Sequence, residues 1–375
     1  MNKRMLILTA FLIGILVLSG CSVSTDGNTV ANTDTIKVGA YLPLTGEGAS
    51  WGQNALAGIT LALDEINSQG GINGQEIELI VEDDLCTSES VNAVQKLINV
   101  DGVSALLGPV CSSAAGPAVP IIQQEQIPNV LIGASAPDLT ATGDYIFRVY
   151  PSDAFQGKEA AKYIYENMGA RKVAVVYVKN DWGQGIKEVF VEEFENYGGE
   201  IVYSSGVLQT ETDFKTEIGK IEDSEADLLY FPVYPTNAIA AFKQMEELEF
   251  EIPIVGGDSL SGEEVVSSGY GDGAIYLVPE IGGAEEIADS IKALDGFEDL
   301  EVNFIAPLAY DASMVLFDAI KIAGDDPTAI KEALRVTSYV GAMGSLIEFD
   351  DMGDISYSEY SVYIIRNGES AIYHG

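Results

Sequence analysis

The residues with which this chain could do chemistry are few, and the cysteines separate first. Cys21 closes Leu18, Ser19, Gly20, Cys21 behind an apolar run from Leu6 to Leu18, itself preceded by Lys3 and Arg4. A basic start, an apolar core and small residues before a cysteine make the pattern of an export signal with a lipoprotein ending. The core is about 13 residues, short of the roughly 20 that a bilayer-spanning helix needs, so cleavage before Cys21 fits better than a permanent span. Residues 1–20 are therefore expected to leave as a signal peptide, with Cys21 lipidated. Cys86 and Cys111 remain. An exported protein sits where thiols oxidise, and the even remaining count reads as one disulfide.

Histidine is nearly absent. His374 is the single one, next to the C-terminus, which removes Ser-His-Asp, Cys-His and multi-histidine zinc chemistry. Asp83 and Asp84 could suggest a carboxylate pair for hydrolysis, but neighbours on a strand point to opposite faces and do not converge. Gly46, Gly48 and Gly52 follow a strand and precede a helix as a dinucleotide fingerprint would, yet Trp51 stands where its third glycine belongs and would obstruct a pyrophosphate. No enzyme, metal site or cofactor is expected. The groups left are polar residues placed just past strands. Ser112 and Ser113 open a helix after a strand, where free N–H groups and the helix dipole favour an anion. Asp258, in IVGGDS after another strand, offers the charge an ammonium needs.

These residues must be positioned by a large fold. The 375 residues, 47% hydrophobic and 21% charged, suffice for two domains with sizeable cores. A formal charge of -39, from 58 acidic against 19 basic residues, disfavours nucleic acid and polybasic docking to anionic lipid. Residues 21–35 are rich in Ser, Thr, Asn, Asp and Gly and read as a flexible tether. From Ile36 to Gly133 strands and helices alternate. A second series of the same kind runs from near Phe155 to Gly256. Each predicts a parallel sheet covered by helices, with ligands at the carboxyl ends of the strands. The helices Ile305 to Ala323 and Pro327 to Leu334, and two strands in the tail, are left over. The chain is thus expected to cross between two α/β, Rossmann-like lobes more than once, giving a multi-strand hinge and an interlobe cleft.

Several segments in this order resemble the type I periplasmic binding proteins for branched-chain amino acids, the solute receptors of ABC importers. They are the opening IKVGAYLPLTGEGASWGQNALAGITLALDEINSQGGINGQEIELIVEDD, the pair DDLC and GPVCSS, GASAPDLT, IFRVYPSDAFQGKEAAKY and PLAYDASMVLFDAI. The resemblance implies crossovers near Asp153, Pro279 and Val340. The lobes would then be 36–152 plus 280–339 and 153–279 plus 340–375. It also implies a disulfide between Cys86 and Cys111.

Residue by residue, the resemblance gives Ser112 the hydroxyl that holds a ligand carboxylate, Ser135 one that grips the ligand backbone, and Gly133 a main-chain contact. Trp51 and Tyr234 match aromatics that face the ligand, and Tyr150 and Phe155 are further candidates from the residues themselves. Asp258 stands where the best-known relative has a glutamate, so the ligand must sit closer, or a water intervene, or the amine be absent. Arg148 is read as structural. The implied partners are a small neutral amino acid, ABC permease subunits and the membrane through the lipid anchor, with the protein a monomer outside the cytoplasm, on the periplasmic or outer surface. An amide, urea or aromatic acid as ligand, a sensing receptor and an extracellular hydrolase are the alternatives.

Overall fold

The computed structural model describes residues 35–46, 48–355 and 358–374. The signal segment, the Cys21 lipidation site and all but the last residue of the tether lie outside the described residues. Among these, no helix is long and apolar enough to cross a membrane.

The first series folds as β1 (Ile36–Leu42), α1 (Ala49–Ser68), β2 (Ile77–Asp83), α2 (Ser90–Lys96), β3 (Ala105–Leu107), α3 (Ser112–Glu125), β4 (Asn129–Leu131) and β5 (Ile146–Arg148). Its five strands form a parallel sheet in the order β2-β1-β3-β4-β5. β1 is nearly all apolar because helices cover both of its faces, as a parallel sheet requires. One face packs Val38, Ala40 and Leu107 against Ile59 of α1. The other packs Tyr41 and Leu106 against Val94 of α2 and Ala118 and Ile122 of α3.

The second series is α4 (Asp153–Lys162), β6 (Lys172–Val178), α5 (Asp181–Asn196), β7 (Glu200–Val207), α6 (Lys215–Asp223), β8 (Leu228–Phe231), α7 (Pro235–Glu247), β9 (Ile254–Gly256), α8 (Glu263–Val266) and β10 (Ile275–Pro279). The chain then returns through α9 (Ala284–Lys292), α10 (Ile305–Ala323) and α11 (Pro327–Leu334). It ends in β11 (Tyr339–Val340), β12 (Leu346–Ile347), β13 (Tyr360–Arg366) and β14 (Glu369–Ile372). The second sheet has the order β14-β13-β10-β9-β8-β6-β7; β13 runs antiparallel to β10, and β14 antiparallel to β13.

The returning helix α10 belongs to the first core, where Leu308, Ala312 and Leu316 are fully buried beside Val38 and Ala40. Its approach to α1 is close: a Cβ on Gly58 would come within 2.2 Å of the Ala306 carbonyl oxygen, so this contact needs glycine. A third crossover near Val340 proves too early. β11 and β12 pair only with each other, and Met343, Ile347, Phe349 and Ile355 still pack in the first core. Arg148 at the end of β5 also grips Asp354 at 2.8 Å. Held by these contacts, the chain passes to the second sheet only between Ile355 and Tyr360.

Cys86 and Cys111 form a disulfide, closing a loop of sequence separation 25 between the end of β2 and the start of α3. In the chain-entropy picture such a closure is worth about 3.5 kcal/mol. The double variant Cys86→Ser, Cys111→Ser should lower unfolding free energy by about that amount in denaturant titration. An unchanged midpoint would show that the cross-link adds nothing to the packing already there.

Candidate functional site

The carboxyl ends of both sheets face a cleft with about 460 Å³ of space free of protein atoms, part of it open to solvent. The structure brings Trp51, Ser112, Gly133, Ser135, Tyr150, Tyr234 and Asp258 together around it. Phe155, half-buried on α4, does not line it.

On the first-sheet side, Cys111 is extended and Ser112 is the first helical residue of α3; the N–H groups of Ala114 and Ala115 bond the Cys111 carbonyl, which leaves those of Ser112 and Ser113 without a partner in the helix. Ser112 Oγ accepts the N–H groups of Ser135 and Ala136, both at 3.0 Å. With its lone pairs engaged, its hydroxyl proton is left to donate. Gly133 lies against Val110, where a Cβ would come within 2.9 Å of a Val110 methyl, so its main chain can border the cleft. Ser135 differs from Ser112. Its hydroxyl donates to Asp153 Oδ2 at 2.8 Å, so its proton is committed and its lone pairs are what it can offer.

On the second-sheet side, Asp258 follows β9 in a short 3-10 turn and is 8% exposed. Burial pushes its carboxyl up; hydrogen bonds, first that from the Tyr150 hydroxyl, pull it back. Ser259 beside it donates to the Val233 carbonyl at 2.7 Å, which fixes the turn. Tyr234 immediately precedes α7, and its ring stacks parallel on Trp182 at 5.1 Å. It meets Trp51 edge-on at 6.2 Å, and its hydroxyl lies 3.5 Å from Ser113 Oγ.

Contacts between the two sides include Tyr234 with Trp51, Tyr234 with Ser113, Ser135 with Asp153, and Tyr150 with Asp258. They join the two sides in a closed arrangement. Arg148 serves the frame: Nε and Nη2 hold both oxygens of Asp354, and Nη1 donates to the carbonyls of Ala134 and Ala136.

Trp182, Phe304, Ile305, Val110 and Ser259 also line the cleft, although sequence reasoning did not name them for it. Trp182 had a usable signal. It falls four residues after β6, at the start of a helix, the kind of place that Ser112 occupies after β3. Phe304 and Ile305 had none, because the start of α10 lies outside both alternating series. No Lys, Arg or His lies among the lining residues, so an anionic ligand would find no side-chain cation there. Among the described residues no group of three or more His, Cys, Asp or Glu could hold a metal.

Comparison with known proteins agrees with this architecture. The family model described as "Periplasmic binding protein" matches residues 35–360. The leucine-, isoleucine-, valine-, threonine- and alanine-binding protein of Pseudomonas aeruginosa is 31% identical over 337 residues, covering 88% of this chain and 90% of that one. The branched-chain amino acid transporter substrate-binding protein LivJ of Streptococcus pneumoniae, solved with isoleucine, superposes with a TM-score of 0.79. It is 28% identical, with 91% and 99% of the two chains covered. A solute-binding protein of an ABC transporter from R. palustris, solved with benzoate, shares the fold with a TM-score of 0.79 at 21% identity, covering 90% and 95%. Relatives of this kind imply a small-molecule ligand, a permease partner and a place outside the cytoplasm. On the family match and the identity across most of both chains, the protein belongs to the type I periplasmic binding proteins of the leucine/isoleucine/valine-binding family, which bind solutes and are not enzymes.

Proposed function

We propose that this protein is the lipid-anchored, monomeric solute-binding component of an ABC importer, that it takes a neutral, branched-chain L-amino acid in its cleft, and that it presents the closed complex to the permease. The observation that carries the ligand assignment is the polarity of the cleft. A buried carboxylate, Asp258, lines it together with a helix start at which Ser112 has a hydroxyl proton to give. A buried ammonium or carboxylate without a partner is costly, and a zwitterion supplies the complement to each group. Trp51, Trp182, Tyr234, Phe304 and Ile305 leave an apolar wall for a neutral side chain.

In this reading the ligand's carboxylate meets Ser112 and the N–H groups of α3, its ammonium meets Asp258, and the Gly133 main chain borders it. Closure follows because the bound ligand touches both sides and so binds the closed form better than the open one. The first lobe would comprise 36–152 and 280–355, the second 153–279 and the remaining tail.

An aromatic acid is the rival that the rings of the cleft make reasonable, and the R. palustris relative was solved with one. Asp258 opposes it, since an acid without an ammonium would place two anions in one pocket. A thermal-shift screen over the amino acids, urea, short amides and aromatic acids decides between them. Ligand at 100 times its dissociation constant adds about 2.7 kcal/mol to stability. A raised melting temperature with leucine, isoleucine or valine is expected. A response to benzoate with silence from every amino acid would keep the transport receptor and discard this ligand.

A further inference from the structure

The interior beside Asp258 holds polar atoms that the protein's own contacts leave unsatisfied. Asp153, the first residue of α4, is fully buried, and while Oδ2 accepts from Ser135, Oδ1 has no hydrogen-bond partner. Gln156 is 1% exposed, and its amide is set beside Asp258, whose carboxyl it helps to pull down. Its Oε1 stands over Gly257, where a Cβ would come within 2.9 Å, and so beside Asp258. Buried polar groups in native proteins are nearly always satisfied, so an unpartnered carboxylate oxygen on the residue that holds cleft-lining Ser135 calls for a counterpart.

The charges point the same way. Asp153 and Asp258 are two carboxylates in one enclosed region, and burial first, then the charge of Asp258, pushes the Asp153 carboxyl well above the usual range. The groups around the pair are the Tyr150, Tyr230 and Tyr360 hydroxyls and Arg148. Arg148 draws Asp153 back only in part, because its donors are spent on Asp354 and two carbonyls. The Tyr230 and Tyr360 hydroxyls are buried without partners.

We propose that Asp153 is the second acid of the ammonium subsite, a positioning residue that acts through Ser135, and that the arriving ammonium takes the place of a proton which Asp153 and Asp258 hold between them in the empty cleft. By accepting the hydrogen bond of the Ser135 hydroxyl, Asp153 turns the Ser135 lone pairs toward the ligand. Ser135 then reads as an acceptor for the ammonium rather than a donor to the carboxylate. The ammonium keeps its three protons and donates them to Asp258, Ser135 and a further acceptor. The displaced proton passes from the carboxyl pair to water. Affinity for amino acids should therefore fall as pH is lowered through the titration of the pair. The proposal rests on the amino-acid reading above and sharpens it: the subsite selects for an ammonium and against the same side chain without one.

The test is calorimetric titration of the full chain with L-isoleucine and with its deaminated counterpart, 3-methylpentanoate, at pH 6 and pH 8 in buffers of different ionisation enthalpy. Wild type should release up to one proton per isoleucine bound, more at the lower pH, and bind 3-methylpentanoate weakly. Asp153→Asn should lose the proton release and weaken isoleucine by about ten- to a hundredfold, the range for a hydrogen bond to a charged group, without weakening 3-methylpentanoate. Ser135→Ala should weaken isoleucine to a similar extent, and the double variant should be little worse than either single one. Ser135→Ala carries the test if Asp153→Asn fails to fold. Equal affinity and equal proton release in wild type and Asp153→Asn would overturn the proposal while leaving the amino-acid reading intact. So would an equal loss for both ligands, the mark of a merely structural residue. Failure of wild type to bind any amino acid would remove the amino-acid reading and the proposal with it.

Discussion

Asp258→Ala should abolish measurable binding of the amino acid at micromolar protein while leaving the fold intact. Asp258 is buried, receives the Tyr150 hydroxyl, and lies across the cleft from the helix start at Ser112. Taking away one partner of a buried ion pair costs about 3–5 kcal/mol, because the ammonium then sits in the closed cleft without a counter-charge. That corresponds to roughly a hundred- to several-thousandfold in affinity. Calorimetric titration reads it directly. A loss of less than tenfold would move the ammonium away from Asp258.

The second large effect is on stability and concerns a residue outside the cleft. Asp84 is fully buried, accepts the Cys86 N–H at 2.7 Å through Oδ1, and has no partner at Oδ2. Burial, with a smaller contribution from the charge of Asp83, pushes its carboxyl from the ordinary 3.8 to about 7. The folded state therefore binds a proton more tightly than the unfolded chain does. Stability from this group is greatest below about pH 4, falls as pH rises between 4 and 7, and carries the full cost of a buried charge above 7.

A displacement of that size is worth on the order of 4 kcal/mol. Asp84→Asn keeps the acceptor for Cys86 and is neutral at every pH. It should be more stable than wild type by up to about 4 kcal/mol at pH 8, with the difference vanishing near pH 4. Chemical denaturation at the two pH values checks this. A variant less stable than wild type at pH 8 would mean that the charge of Asp84 is solvated or paired.

The legible part of the cleft consists of residues that combine a special chemistry with a place just past a strand. Ser112, Ser135 and Asp258 are short polar residues at the carboxyl ends of β3, β4 and β9, where the packing of helices over a parallel sheet leaves side chains facing outward along the strands. Their positions followed from the alternation of elements and their order from the resemblance. Trp182 and Phe304 were not legible in the same way, because an aromatic at a helix start has the same sequence appearance whether it packs in a core or walls a pocket.

Asp153 shows a different limit. It marks the point where the chain leaves the first sheet, and its chemistry appears only when the fold sets it against Ser135 and near Asp258, 18 residues before it and 105 residues after it in the chain. The late crossover has a local cause. β11 and β12 are two residues each, too short for a pattern to say which sheet they join, and it is the burial of Met343 and Ile347 that ties them to the first core. After β2, α2 is followed by a wider π-type turn over Leu97–Asp101, in which Leu97 stays buried and the following residues turn outward. Apolar spacing in a sequence does not show such a change of winding.

The most direct measurement is a crystal structure of the protein grown with L-isoleucine. One isoleucine should lie in the cleft, its carboxylate within hydrogen-bond distance of Ser112 and the start of α3, its ammonium on Asp258, and its side chain among Trp51, Trp182 and Tyr234. An empty cleft at saturating isoleucine, or a ligand lying with its carboxylate toward Asp258, would contradict this assignment.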